Sequence, residues 1–422
     1  MALLQIENNP LLQTTRIVKV IREFDSVKDD FVLGSEVPLR EVPQDRIAID
    51  VRKGVGGMTQ GAQRGAESPM VSFYGVSQVE FEPASWREKV VLTPKEVKQL
   101  RELGTKDQVE AASSVISRHL FDLRMRLETR MEWMRWQALY GSLNYAAKDV
   151  EINVDYAIPV DMTPTLTGTD KWDNAASDPM DDILEWIEKY RDLIARPKSI
   201  MFNRHTQRVV MQNSKIRALR DAMFTGQPNL GNLTPGVTQA VFQSYAGIPY
   251  TVYDGGYMEI TDLASSVASS GTTLTVRNVG TISLGDSLII THRDGEIAGR
   301  ERLSVAAVSK TLNTITVSSP GVVKSAGYPV GSTIRVKKFF IPDGKLIIRG
   351  DLPANIEGGP VWAEMIAGNH EYGADPFATN FGMFAKVVML DQSDPPKMEI
   401  IVGVNALPVV YHRDTNVIAT IY

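Results

Sequence analysis

The 422-residue sequence contains no cysteine, which excludes disulfides and thiolate metal sites, so unusual stability must come from packing or assembly. It has no apolar run near the roughly 20 residues that a bilayer-spanning helix needs. Basic residues are not in excess. The 45 Lys and Arg stand against 50 Asp and Glu, a net charge of −5, whereas a dedicated nucleic-acid binder carries a basic surplus or stripe. The opening MALLQIENNPLLQTT lacks a basic region before its apolar residues and lacks a small-residue cleavage pattern. It does not read as a signal peptide, and a cytoplasmic origin is expected.

Catalytic signatures are missing too. There is no G-x-x-x-x-G-K-[ST], no H-E-x-x-H and no G-x-S-x-G. GVGGMTQG lacks the spacing of a dinucleotide fingerprint, and the histidines at 119, 205, 292, 370 and 412 form no i, i+4 pair. Asn369-His370-Glu371 reads as a structural or surface feature. Asp181-Asp182 reads as carboxylates placed for the N-terminal end of a helix dipole rather than as a metal pair. No residue is assigned a catalytic, cofactor-binding or metal-ligating role, and no cofactor is expected.

What is present is ordinary in bulk, 43% hydrophobic and 23% charged, and long enough for two or three domains. Residues 1–46 mix short apolar bursts with turn and proline positions and read as an extended arm. Residues 47–74 hold an alternating strand, a tip with five glycines from Gly54 to Gly65, and a second strand, which reads either as a long hairpin or as a surface loop. Its basic residues Arg52, Lys53 and Arg64 are placed to pair with carboxylates such as Glu41, Asp45, Asp50 and Glu67 of a neighbouring subunit, or to stay solvated.

Asp107 to Tyr140 contains no glycine or proline and predicts one helix, about 50 Å long. Val109, Ala112, Ile116, Leu120, Leu123, Leu127, Met131, Met134 and Ala138 make one core-facing stripe about 100° wide. Phe121, Met125, Trp133, Trp136 and Tyr140 fall on the opposite face, among Arg118, Asp122 and Glu132. A helix lying on its own domain needs only the first stripe. The second calls for a further layer of the same chain or for another subunit.

Beyond residue 150 strands and helices mix, with DDILEWIEKYRDLIA (181–195) a second helix, as in an α+β or α/β lobe. Residues 264–337 are rich in Ser, Thr and Val with turn residues every 8–12 positions, the pattern of a small β-sandwich or barrel. They interrupt YTVYDGGYMEI and KFFIPDGKLIIRGD, two pieces of one lobe, and so read as an inserted domain.

This order of parts resembles the major capsid proteins of tailed phages, in particular the phage lambda major head protein family with its Hong Kong 97-type shell fold. DPMDDI (178–183), YAGIPYTVYDGGYM (245–258), IPDGKLII (341–348) and the closing DPPKMEIIVGVNALPVVYHRDTNVIAT (394–420) carry the resemblance. It implies an α+β capsid fold. Residues 1–46 become an N-terminal arm reaching over neighbours, and 47–88 an extended loop lying across the adjacent subunit. A peripheral domain combines 89–178, including the spine helix 107–140, with 394–422; an axial domain holds 179–262 and 338–393. The all-β segment 264–337 is outside the family pattern and is expected on the shell's outer surface, replacing or supplementing a decoration protein.

The function implied is structural: many copies, as hexamers and pentamers, form an icosahedral shell around double-stranded DNA without sequence-specific binding, catalysis or membrane contact. Only 46 residues precede the hairpin, so a separate scaffolding protein is expected, with a portal protein as a further partner. The virion is the expected location, after assembly in the host cytoplasm. Met125, Trp133, Trp136 and Tyr140 are expected to meet neighbouring arms and loops, with the helix arginines paired to neighbours' carboxylates. Two other readings stand beside this one: a cellular nanocompartment shell with protein cargo, and a two-domain enzyme whose β insert binds carbohydrate.

Overall fold

Apolar strand-forming runs and two strongly capped helix starts set the elements. The computed structural model describes residues 31–44, 46–52, 76–92, 108–147, 150–223, 243–244, 246–292, 300–354, 361–372, 380–390 and 397–422. Along these the chain forms β1 (Leu39–Glu41), β2 (Ile47–Arg52), β3 (Val76–Phe81), β4 (Ala84–Leu92) and the long helix α1 (Gln108–Leu139). Then come β5 (Ser142–Ala147), β6 (Val150–Asp155), α2 (Pro179–Glu188), β7 (Arg196–Phe202), α3 (Arg204–Gln212), α4 (Ser214–Met223) and β8 (Tyr250–Val252). Next are β9 (Gly256–Asp262), β10 (Thr273–Thr275), β11 (Ser287–Thr291), β12 (Glu301–Ser309), β13 (Thr314–Val317) and β14 (Thr333–Phe339). The chain ends with β15 (Lys345–Asp351), β16 (Ala363–Ala367), β17 (Met383–Leu390), β18 (Lys397–Val410) and β19 (Val417–Thr420). The described residues divide into two units, one of 37–132 and 363–411, the other of 31–36, 133–362 and 412–422.

The first unit is built on β18. Its alternating apolar residues Ile400, Val402, Val404 and Ala406 are buried on one face, and Leu407 and Val409 are buried on the other toward its end. β16 and β17 pair with successive parts of one side of it, β4 pairs with the other, and β1 adds in parallel to β16. Pro408 fits this strand for a reason of register. Met365, opposite it, donates its N–H to Pro38 on the far side, so Pro408's missing N–H faces the side where β4 has already ended, opposite Ala406. Gly403 is required by close approach: a Cβ there would lie 2.6 Å from both Phe384 Cζ and the Trp86 carbonyl oxygen. Gly403→Ala should therefore destabilise the protein by about 1–3 kcal/mol, read as a lower urea midpoint at unchanged slope.

α1 joins this unit through its first stripe, where Leu120, Leu123, Leu127 and Met131 are buried. Its arginines reach β4: Arg126 donates to Glu88 at 2.9 Å, and the Arg130 guanidinium lies 5.2 Å from the centre of the Trp86 ring.

The second unit carries a four-stranded sheet in the order β19-β15-β7-β8, with β7 and β8 parallel. α2 starts where Asp178 accepts from the Met180 and Asp181 N–H groups, with Pro179 following it, and α3 starts where Asn203 accepts from Thr206 N–H at 2.7 Å. Trp172 Nε1 donates to Asp182 at 2.7 Å. Burial pushes the Asp182 carboxyl pKa up; the Trp172 hydrogen bond opposes this, and Glu185, Asp181 and Asp170 raise it further. Ionised Asp182 is therefore unfavourable in the fold above its folded pKa, an effect that vanishes once pH falls below its unfolded value of about 3.9. Asp182→Asn keeps an acceptor for Trp172. It should add about 0.5 kcal/mol at neutral pH, small because the group is half exposed, with the gain closing below pH 4 in thermal melts across pH.

Between β8 and β15 lies a six-stranded antiparallel sheet in the order β10-β13-β12-β11-β14-β9. Its two ends meet at the Leu263–Val276 bridge and through Ala264 N–H to the Thr275 carbonyl at 2.8 Å, which closes it into a small barrel. Leu274, Leu288, Ile290, Ile315, Ile334 and Val336 fill the interior.

Three expected boundaries differ. Residues 363–367 and 383–390, assigned from the sequence to the lobe of 179–262, instead pair with β18, and the last strand, β19, leaves β18's sheet to pair with β15. The stretch after 338 thus splits near 362, and the C-terminal stretch near 411. An apolar run shows that a strand will be buried, not which edge it will join. Residues Ala84–Glu88, expected in the extended loop, lie in β4 against β18, while β2 pairs with β3. The end of the expected arm also belongs to its own chain. β1 adds to β16, and Leu33 is 1% exposed, with Phe31 edge-on to Phe340 and Glu36 ion-paired to Arg349.

Candidate functional site: the aromatic face of the long helix

Among the residues singled out in the sequence, Arg52 closes β2 opposite Val76, while Lys53 and Arg64 lie outside the described residues. Met125 is half-buried and its carbonyl accepts from Thr129 Oγ1 at 2.7 Å.

Trp133, Trp136 and Tyr140 correct the expectation that a neighbour covers the second face. Trp133 is 4% exposed and Trp136 1%, both covered by their own chain. Trp136 stacks on Tyr253 (ring centres 5.4 Å apart) and on Phe340 (6.1 Å), while Trp133 meets Tyr145 edge-on at 6.1 Å. The Tyr140 hydroxyl donates to the Phe340 carbonyl at 2.8 Å. Burial, with smaller contributions from Tyr253 and Tyr257, pushes its pKa well up, so it stays a neutral donor. The physical reason is the pair of barrel strands that join the rest of the chain. β9 begins, and β14 ends, beside the last turn of α1, and Tyr253 before β9 and Phe340 after β14 supply the layer that the helix pattern demanded.

The arginines were also expected to pair across subunits. Instead Arg124 bonds Glu128 one turn on at 2.6 Å, and Arg126 bonds Glu88. Local i, i+4 geometry and a facing strand give each a carboxylate within one chain, while Arg124 Nη1 and Glu128 Oε2 stay buried without a hydrogen-bond partner among the described residues.

This packing leaves a cavity of about 490 Å³ beside the helix end. Trp133, Trp136, Tyr140, Tyr257, Phe339 and Phe340 form its aromatic wall. Its polar wall includes Lys338, Lys345, Thr163 and Thr420. Lys338 Nζ donates to the Thr281 carbonyl at 2.6 Å and pairs with Asp286 at 3.1 Å. Lys345 Nζ donates to Thr420 Oγ1 at 2.6 Å, and burial lowers its pKa. Sequence reasoning missed Tyr253, Tyr257, Phe340 and Lys345. The available signal was the run of aromatics in YTVYDGGY and KFF on either side of the strand-rich stretch 264–337.

The polar cluster at Asn369-His370-Glu371 is a structural turn. Asn369 Oδ1 accepts from the His370 and Asn380 N–H groups, and the buried His370 ring packs 4.5 Å from Phe384. Among the described residues no group of three His, Asp or Glu side chains converges on a metal-sized site, and no helix is long and apolar enough to cross a membrane.

No curated protein matches the sequence. Among solved structures, the chain is similar to a prophage capsid protein of Escherichia coli CFT073, with 12% identity, 97% of this chain and 99% of that one covered, and a TM-score of 0.50. It is also similar to a phage-related protein of Bordetella bronchiseptica RB50 (7% identity, 97% of each chain, TM-score 0.42). An encapsulin complex of Synechococcus elongatus PCC 7942 is a further neighbour (8% identity, 96% of this chain and 94% of that one, TM-score 0.36). At such identities only the fold is compared. Sequence decides the family: residues 21–276, more than half of the chain, match phage major capsid protein E, and the chain belongs to that family.

Proposed function

We propose that this phage major capsid protein is a Hong Kong 97-type subunit that self-assembles into the icosahedral shell enclosing double-stranded DNA. Its role is structural. The observation that carries the proposal is the family match over residues 21–276, which spans the β2–β3 pair, the long helix and the first part of the second unit. In this reading hexamers and pentamers form around the second unit's helices and sheet. Arg52, Lys53 and Arg64 make inter-subunit ion pairs from the extended loop, and half-buried Met125 meets a neighbour's arm. The barrel between β8 and β15 is an inserted domain on the outer surface. Its two chain connections lie side by side, where Gly256 faces Phe339 across the ladder, which supports that reading. A separate scaffolding protein, a portal protein and, beside the barrel, a decoration protein are the partners, and assembly takes place in the host cytoplasm.

Negative-stain microscopy of the purified protein tests the proposal. Closed, uniform particles, or their formation on adding a co-expressed scaffolding protein, are the expected result, whereas a small oligomer under all conditions overturns it. Particles purified from infected or induced cells should contain double-stranded DNA; protein cargo instead would assign the chain to a nanocompartment.

A further inference from the structure

Among the described residues, one cation of the cavity beside α1 has no matching charge. Lys338 is paired with Asp286. Lys345 donates to a threonine hydroxyl, and among the described residues no carboxylate lies within ion-pair distance of it. Its lowered pKa is what burial of an ammonium without a counter-charge produces. The cavity, about 490 Å³, has the size of a ligand pocket, and Phe339 at its edge is 43% exposed. Aromatic walls, hydroxyls and a lysine with no facing carboxylate suit an occupant that brings both an apolar side chain and a carboxylate.

We infer that this cavity is a socket for a carboxylate-bearing segment of a second copy of this chain, in which an Asp or Glu side chain pairs with Lys345 while an adjacent apolar side chain seats against Tyr257 and Phe339. The inference rests on reading the chain as a self-assembling capsid subunit, and adds where one copy holds the next. Charge supports a copy of the chain as the occupant, because its 50 carboxylate residues outnumber its 45 lysines and arginines. A socket on one copy and an inserted segment on the next make a heterologous contact, the kind that closes rings.

The test uses the full chain with Lys345→Met, Lys345→Arg and Lys345→Glu. Methionine keeps the stem and removes an ammonium whose burial is unfavourable, so the unassembled variant should melt at or above the wild-type temperature. The concentration at half-maximal association, read by light scattering and sedimentation velocity, should rise at least about tenfold for Lys345→Met and further for Lys345→Glu, while Lys345→Arg stays near wild type. Tryptophan emission should shift on association in the wild type and not in Lys345→Met at the same concentration. Lys345→Met associating at the wild-type midpoint overturns the inference. If Lys345→Met misfolds, Lys345→Arg and Lys345→Glu decide, and equal association by both overturns it. An emission shift caused by acetate alone, without association, assigns the cavity to a free small carboxylate and also overturns it. Closed shells from Lys345→Met at the wild-type midpoint sink the socket but keep the shell reading. Open oligomers that depend on Lys345 do the reverse.

Discussion

Trp136→Ala should lower the stability of the unassembled protein by about 3–5 kcal/mol, the range for removing a large aromatic from a core. Trp136 is almost fully buried, and its ring stacks against Tyr253 and Phe340, so truncation opens a void between α1 and the residues that lead into β9 and out of β14. Those rings hold one another in place, since Tyr253 and Phe340 are also stacked, with centres 6.4 Å apart. Urea unfolding of assembly-blocked protein, followed by near-UV circular dichroism, measures the loss. Assembly should fail as a consequence of misfolding. A variant with wild-type stability that nevertheless fails to assemble would restore the tryptophan to a subunit interface.

Excising the barrel should have the opposite outcome, a large structural change with little effect on the rest of the chain. Met258 and Lys337 face each other in the β9–β14 ladder, so replacing residues 259–336 with Asn-Gly joins them by a two-residue hairpin turn. The barrel's apolar interior is its own, closed by the Leu263–Val276 bridge, so removal exposes no host core through it, although Lys338 gives up its bonds to Thr281 and Asp286 and Tyr145 its bond to Asn278. Cryo-microscopy of the resulting particles should show shells of unchanged diameter that lack one outer protrusion per subunit. Loss of density from the inner surface would reverse the proposed placement. Failure to assemble, with the subunit still folded, would show that the barrel carries inter-subunit contacts.

Much of the local structure was legible in the residues. The long helix spans Gln108–Leu139 where the sequence predicted 107–140, because an uninterrupted helical period without Gly or Pro is a local signal. Leu120, Leu123, Leu127, Met131, Met134 and Ala138 of the predicted stripe are buried. The strand-rich stretch from 264 to 337 forms strands where TLTV, SLII, RLSVAAV, NTITV and STIRV were read. Asp178 and Pro179 start a helix by chemistry that spans only a few residues.

The site was less legible. The sequence showed that α1 has a second apolar face and left its cover open between the same chain and another subunit; the order of segments then favoured a neighbour. The structure covers Trp136 with Tyr253 and Phe340, far along the chain and on opposite sides of the barrel in sequence. Nothing in a local pattern brings those two stretches together.

The sequence by itself determined the family, the long helix, the strand character of residues 264–337 and the need for a second layer on the helix. Each depends on residue type and short-range period. Only the tertiary structure decided that the chain supplies that layer itself, that residues 363–367 and 383–390 join β18, and that Lys345 lines the aromatic cavity with no carboxylate in ion-pair reach among the described residues. Period and composition reveal that a face must be buried. Which distant segment buries it depends on strand pairing and close packing, which are settled only when the whole chain competes for the same surfaces.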